Sequence, residues 1–137
     1  MSRGQPTKAV GPTEARAYHG VAAEFLHAAR ESLVASNYHA AVSNAVHAGI
    51  AAADAIAAFR TGAIWQGAHD QGARHLEQAG TEGRQGSPHL RRLLPLKNQA
   101  EYDPAPIPKR KAEGALRAAQ QLVTIAGKLF GSETPSE

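Results

Sequence analysis

The sequence predicts an all-α fold, an up-and-down bundle of four to five helices built as a single domain. The chain has 137 residues, which suits one domain with a single modest core. Its long segments repeat apolar residues at spacings of three and four, and no segment keeps the two-residue alternation of a strand over a useful length. Alanine accounts for 29 residues, so the helices must approach each other closely to build an interior.

The first half of the chain predicts two long helices. Segment 13–35 carries apolar residues along one face, and Glu14 gives its first turn the negative charge that a helix N-terminus favours. A second helix over 38–60 follows Asn37, a good N-cap residue, and stops at Gly62. Because the connection between the two helices is short, we expect them to pack as antiparallel neighbours.

The second half predicts shorter elements. Segment 69–79 predicts a short helix, and the three glycines of segment 80–87, without a large apolar residue, predict a flexible loop. Ser87 and Pro88 predict the N-cap and first position of a further helix, which Pro95 must kink or split.

A proline-rich segment, 103–108, predicts a rigid extended connector ahead of a last long helix over 108–130. We therefore expect one bundle over residues 13–131. It would lie between a disordered N-terminal segment, 1–12, and a disordered tail, 132–137.

Composition and spacing exclude several kinds of site. Without cysteine, the chain has no disulfide, no thiolate nucleophile and no zinc site built on thiolates. None of the seven histidines lies three or four residues from another, so no metal site is predicted. No phosphate loop or dinucleotide fingerprint occurs, and no cofactor is expected. The carboxylates Glu101 and Asp103 are interpreted as helix-end and turn residues.

The sequence favours a cytoplasmic protein with no membrane contact. Its N-terminus lacks the apolar run of a secretory signal. The longest uncharged stretch, 32–53, is about long enough to span a bilayer. It contains serine, asparagine and histidine side chains, which make it too polar for hydrocarbon.

Positive charge is concentrated in the second half of the chain. The formal net charge is +3, whereas residues 84–117 alone hold eight Lys/Arg against three Asp/Glu. Cations on both sides of the predicted connector are candidates to bind the phosphates of RNA or of a nucleotide, and a plain solvated run of charge is the alternative. The candidate residues are Arg91, Arg92, Lys97, Lys109, Arg110, Lys111 and Arg117.

Three segments carry a family resemblance when taken in order. They are NYHAAVSNAVHAGIAAA at 37–53, the pair His69-Asp70 ahead of a short helix, and LKNQAEYDP at 96–104 before a closing alanine-rich helix. This order, over about residues 14–130, resembles the HEPN family of prokaryotic proteins. The resemblance implies an up-and-down bundle that often forms homodimers. It also implies a toxin–antitoxin or defence system, often with a nucleotidyltransferase partner encoded beside it.

Many members of that family are metal-independent ribonucleases. Their late helix carries an arginine, usually a polar residue next, and a histidine after four to six intervening positions. The corresponding positions here hold Lys97, Asn98 and Tyr102, so both key residues are substituted. Lysine lacks the bidentate guanidinium, and tyrosine is a poor base at neutral pH. His47, on the second helix, is a further candidate base, although a packed histidine is the commoner role there.

These observations favour a HEPN-like module that binds RNA, a nucleotide or a protein partner and lacks ribonuclease activity. One alternative is a divergent metal-independent endoribonuclease that uses Lys97, Asn98, Tyr102 and His47. The other is a purely structural interaction bundle. The small residues of the second helix, together with the resemblance, also favour a homodimer.

Overall fold

The protein is an all-α helical bundle with one small two-stranded sheet, in a computed structural model that describes residues 6–130. The predicted fold class is confirmed, and the predicted tail at 132–137 lies outside the described residues. The helices are α1 (Pro12–Val34), α2 (Tyr38–Thr61), α3 (Gly72–Leu76), α4 (Gly80–Leu93), α5 (Leu96–Tyr102) and α6 (Lys109–Gly127). The strands are β1 (Thr7–Ala9) and β2 (Ala63–Trp65), and a 3-10 turn, His69–Gln71, precedes α3.

Helix α2 is the centre of the bundle. It contacts α1, α3, α4, α5 and α6, and its packing against α1 is as predicted. Most of its buried residues are alanines, joined by Gly49, so its backbone can lie close to its neighbours. A Cβ at Gly49 would lie 2.4 Å from Cδ1 of Leu93 on α4. The helix ends, as predicted, at Gly62, whose φ of 76° is left-handed.

The prediction of a flexible loop over 80–87 is wrong, because this segment forms the first half of α4. Its glycines serve close packing. A Cβ at Gly83 would lie 2.1 Å from the carbonyl oxygen of Leu76, and one at Gly86 would lie 2.9 Å from Cδ2 of Leu122. Helix α4 can therefore approach α3 and α6 only because these positions lack a side chain.

The predicted helix start at Ser87-Pro88 is also wrong, because both residues lie inside α4. Ser87 is buried, and its hydroxyl donates a hydrogen bond to the carbonyl oxygen of Ala73 at 2.7 Å. This bond ties the middle of α4 to α3. Pro95 behaves as predicted, since it lies between the end of α4 and the start of α5.

The predicted connector over 103–108 contains no helix. The Asp103 carboxylate accepts a hydrogen bond from the backbone N–H of Ala105 at 2.9 Å, which confirms its predicted role in a turn. Ile107 is buried and anchors the connector against the core.

A short strap crosses the end of the α1–α2 pair. Strand β1 pairs antiparallel with β2, with Lys8 opposite Ile64. The expectation of a disordered segment over 1–12 is therefore wrong for residues 7–12, and residues 1–5 lie outside the described part. Each strand has only three residues, which is too short for an alternating pattern to show in the sequence.

Helix α2 is long and apolar enough, by length and composition, to cross a membrane. In the folded chain, 67% of its most apolar stretch is buried inside the bundle. The core helix of a soluble protein passes the same test, so this property by itself does not indicate a membrane span.

We expect Gly83→Ala to destabilise the protein by about 1–3 kcal/mol, because the new methyl group would overlap the carbonyl oxygen of Leu76. Gly20→Ala is the matched control, since the added Cβ in α1 would meet no atom within 4 Å. Alanine there should stabilise α1 by roughly 0.5–1 kcal/mol. Urea denaturation of both variants measures the difference, and equal effects would contradict the close packing of α4.

Candidate functional site

Three polar side chains from α2 and α5 meet around the carboxylate of a fourth, Glu101. We call Ser43, His47, Lys97 and Glu101 the Glu101 cluster. Oε2 of Glu101 accepts a hydrogen bond from the Ser43 hydroxyl at 3.2 Å and lies 2.9 Å from Nε2 of His47. Nζ of Lys97, one helical turn before Glu101, donates to Oε1 at 3.2 Å. Two of the predicted catalytic candidates, His47 and Lys97, therefore share a partner.

The cluster stabilises a charged carboxylate. The hydrogen bond from Lys97 lowers the pKa of Glu101 below its ordinary value, and those from His47 and Ser43 add to this. The side chains of Lys97 and Glu101 are only 24% and 20% exposed. The ring of Phe25 packs on that of His47, with centroids 5.3 Å apart. His47 is thus held in one orientation, between an aromatic ring and a carboxylate.

The connector is attached beside this cluster by a second histidine of α2. Nδ1 of His39 lies 3.2 Å from the carbonyl oxygen of Ala100, and its Nε2 lies 2.9 Å from that of Ala105. His39 therefore fixes the end of α5 and the start of the connector to α2. In this way it holds Glu101 in place against His47.

The other two catalytic candidates do not join the cluster. Tyr102 is 74% exposed, and it lines a shallow surface depression together with Asn98. Because Tyr102 directly follows Glu101 in a helix, its side chain points about 100° away from that of Glu101. Of the three motif positions, Lys97 therefore faces the Glu101 cluster, whereas Asn98 and Tyr102 face the depression.

A groove between α4 and α6 collects three of the predicted cations. We call it the basic groove. Arg92, Lys111 and Arg117 line it together with His89 and Gln121, and its volume is about 560 Å³. None of the described residues that line it is acidic. The guanidinium groups of Arg92 and Arg117 make no ion pair with another residue of the described part.

His89 brings a partly buried imidazole ring to the basic groove. Burial lowers the pKa of His89, and the positive charge of Arg92 lowers it further, so the neutral ring is favoured. Nδ1 of His89 is buried, and it has no hydrogen-bond partner among the described residues. Lys111 also donates a hydrogen bond to Oε1 of Gln99 at 2.8 Å, which orients its ammonium group.

The remaining predicted cations lie elsewhere. Arg91 forms an ion pair with Glu77, and Lys97 belongs to the Glu101 cluster. Lys109 and Arg110 are exposed in the first turn of α6 and do not line the basic groove. The seven cations therefore form no single patch in the described structure.

Sequence reasoning missed the central residue of the cluster. Glu101 was interpreted as a helix-end residue, but its four-residue spacing from Lys97 is a signal of a helical ion pair. The same spacing separates Ser43 from His47, which places both on one face of α2. Arg117 and Gln121 of α6 also have this spacing. No signal in the sequence connects His89 with them, because their meeting depends on how α4 packs on α6.

Within residues 6–130, no group of three or more histidine, aspartate or glutamate side chains has the arrangement of a metal site. Comparison of the sequence with protein-family models and with curated proteins finds no match. The Glu101 cluster and the basic groove are the features of the described structure that indicate a function.

We expect Glu101→Gln to destabilise the protein by about 1 kcal/mol at pH 7, because the amide weakens the bonds to Lys97 and His47. The pKa of Glu101 is lowered in the folded state. Its ionised carboxylate therefore adds to the free energy of unfolding at neutral pH, and this contribution is lost as the pH falls through the lowered pKa. The difference from the parent protein should therefore shrink in acid. Denaturant titrations at several pH values measure it, with Glu24→Gln, an exposed site on α1, as the control. A difference that is independent of pH would contradict this role.

Proposed function

We propose that this protein is a HEPN-like binding module whose basic groove takes the phosphates of single-stranded RNA or of a nucleotide. The observation that carries the proposal is the convergence of Arg92, Lys111 and Arg117 on one groove that no described acidic residue lines. Unpaired guanidinium groups are suited to bidentate contacts with phosphate oxygens. The family resemblance supports the same reading.

The groove favours contact with the nucleic-acid backbone over recognition of bases. Its described lining contains no phenylalanine, tyrosine or tryptophan on which a base could stack. Phosphate contacts fix position and carry no sequence information. We therefore expect binding that depends strongly on salt and weakly on sequence.

We expect Arg92→Ala and Arg117→Ala each to weaken the binding of a labelled single-stranded oligoribonucleotide, measured by fluorescence anisotropy at low salt. Each variant should also lower the slope of log K against log[salt] by roughly 0.7, the value for one phosphate contact on a single strand. Arg110→Ala removes an equal charge outside the groove and is the matched control.

Two outcomes would count against the groove. Equal losses in all three variants would mean that binding reports only the net charge of the protein. No detectable binding of the oligoribonucleotide or of ATP at low salt would favour the purely structural bundle.

A divergent metal-independent endoribonuclease is the second candidate, and the Glu101 cluster favours it. His47 is oriented by a carboxylate and lies in one cluster with a lysine, which is the equipment of a general base and a phosphate-stabilising cation. Two features weigh against it. The charge of Lys97 is neutralised by Glu101, and Tyr102 lies outside the cluster.

We therefore expect no cleavage of labelled RNA by the purified protein in the presence of chelator. Cleavage that disappears in His47→Gln and Lys97→Ala would make the ribonuclease the leading function. Loss in Tyr102→Phe as well would show that the substituted motif acts as a unit. Cleavage unchanged in all three variants would indicate a contaminating nuclease.

The family resemblance also implies protein partners. We propose a homodimer, and a protein partner such as a nucleotidyltransferase, on the strength of the family resemblance. A purified sample that sediments as a monomer at micromolar concentration would contradict the dimer.

A further inference from the structure

A cavity on another part of the bundle holds an acid that the proposed function does not use. It lies among α2, α3, α4 and the segment that follows β2, and its volume is about 140 Å³. A dry cavity of about 150 Å³ in a protein core can hold benzene, so this one has room for a ring or for a planar group of similar size. Its walls include Ile50, Leu90 and Leu94, and the rings of Trp65 and His75.

The acid is Asp54, on α2. Its carboxyl group lines the cavity and forms no hydrogen bond or ion pair with another residue of the described part. Burial raises the pKa of Asp54 to about 7. Among residues 6–130, no lysine or arginine lines the cavity. The carboxylate therefore lacks a counter-charge in a largely apolar space, an arrangement that is costly unless a ligand supplies one.

We propose that this cavity binds a small planar organic cation of the amidinium or guanidinium type, which pairs with the carboxylate of Asp54. Three properties of the cavity select this class. Its size suits a single small ring or planar group, its one acid requires a positive partner with N–H donors, and its aromatic walls attract cations.

Other titratable groups near Asp54 do not provide the missing charge. Tyr18 of α1 is close enough that the negative charge of Asp54 contributes to raising its pKa, and it stays neutral. Burial lowers the pKa of His75, which favours its neutral ring. His69 also lines the cavity. The described lining offers the ligand one carboxyl group, that of Asp54.

Trp65, which lines the cavity, can report the binding of a ligand there. Trp65 is the single tryptophan of the chain, so its indole N–H gives one signal in an NMR spectrum. That N–H donates a hydrogen bond to the carbonyl oxygen of Ala68 at 3.0 Å, and the indole ring lies 4.9 Å from the His75 ring. A ligand in the cavity would change the surroundings of this group.

The test is a titration of the full-length protein with benzamidinium, and with benzamide as a neutral analogue of nearly the same shape, at constant ionic strength. At pH 8 we expect benzamidinium to shift the Trp65 indole signal in a saturable way and to bind at least tenfold more tightly than benzamide. Asp54→Asn should abolish this preference. Asp70→Asn removes an exposed carboxylate that does not line the cavity, and it should bind like the parent protein.

A second measurement uses pH. If the ionised Asp54 is the partner, benzamidinium should bind about tenfold more weakly at pH 6 than at pH 8, because a carboxyl group with a pKa of about 7 is mostly protonated at pH 6. This dependence should disappear in Asp54→Asn. If the pH dependence of binding persists in Asp54→Asn, it arises from His69 or His75, and the proposed pairing of the ligand with Asp54 is wrong.

Equal binding of benzamidinium and benzamide, or no shift with either, would overturn the proposal. The thermal unfolding temperature of each variant confirms that it is folded, and asparagine is close to aspartate in shape. The inference is independent of the proposed function, because the cavity shares no residue with the basic groove or with the Glu101 cluster.

Discussion

The fold depends on the close approach of α4 to its neighbours. Glycines at 49, 83 and 86 leave room for Leu93, for the backbone at Leu76 and for Leu122. The core is built mainly of alanine, which buries little area per residue, so stability must come from tight contact between backbones. A side chain at Gly83 would collide with the backbone of Leu76, and one at Gly49 or Gly86 would require Leu93 or Leu122 to move.

The position of α4 also determines where the polar groups meet. One side of α4 faces α6 and forms the basic groove with Arg92, and another faces α2 and closes the cavity at Asp54. Just beyond α4, Pro95 redirects the chain into α5, which carries Glu101 to His47. Three chemically different sites thus follow from one helix and the turn after it. A cationic groove, a paired carboxylate and an unpaired acid remain separate within a small domain.

The sequence predicts the long helices well, because α1, α2 and α6 keep a helical period over many turns. The prediction fails at α4. Glycines in a sequence indicate a loop, and only the structure shows that the glycines of α4 lie against closely packed neighbours. The candidate residues His47, Lys97 and Arg92 are visible from their chemical type. Their partners are not, because Glu101 lies 54 residues from His47 and meets it only in the folded bundle. Asp54 is one acid in an apolar helix, and its cavity depends on segments that follow β2.

The β1–β2 strap has a consequence for how the chain folds. Its partners, Thr7 and Trp65, are distant in sequence, and closing so long a loop is unfavourable in an unfolded chain. The α1–α2 pair removes most of that cost, because two antiparallel helices return the chain to the point from which it started. We therefore expect the strap to form after the helices have paired. Slow exchange of the Val10 amide, which donates to the carbonyl oxygen of Gly62, would signal that the first half of the chain has folded.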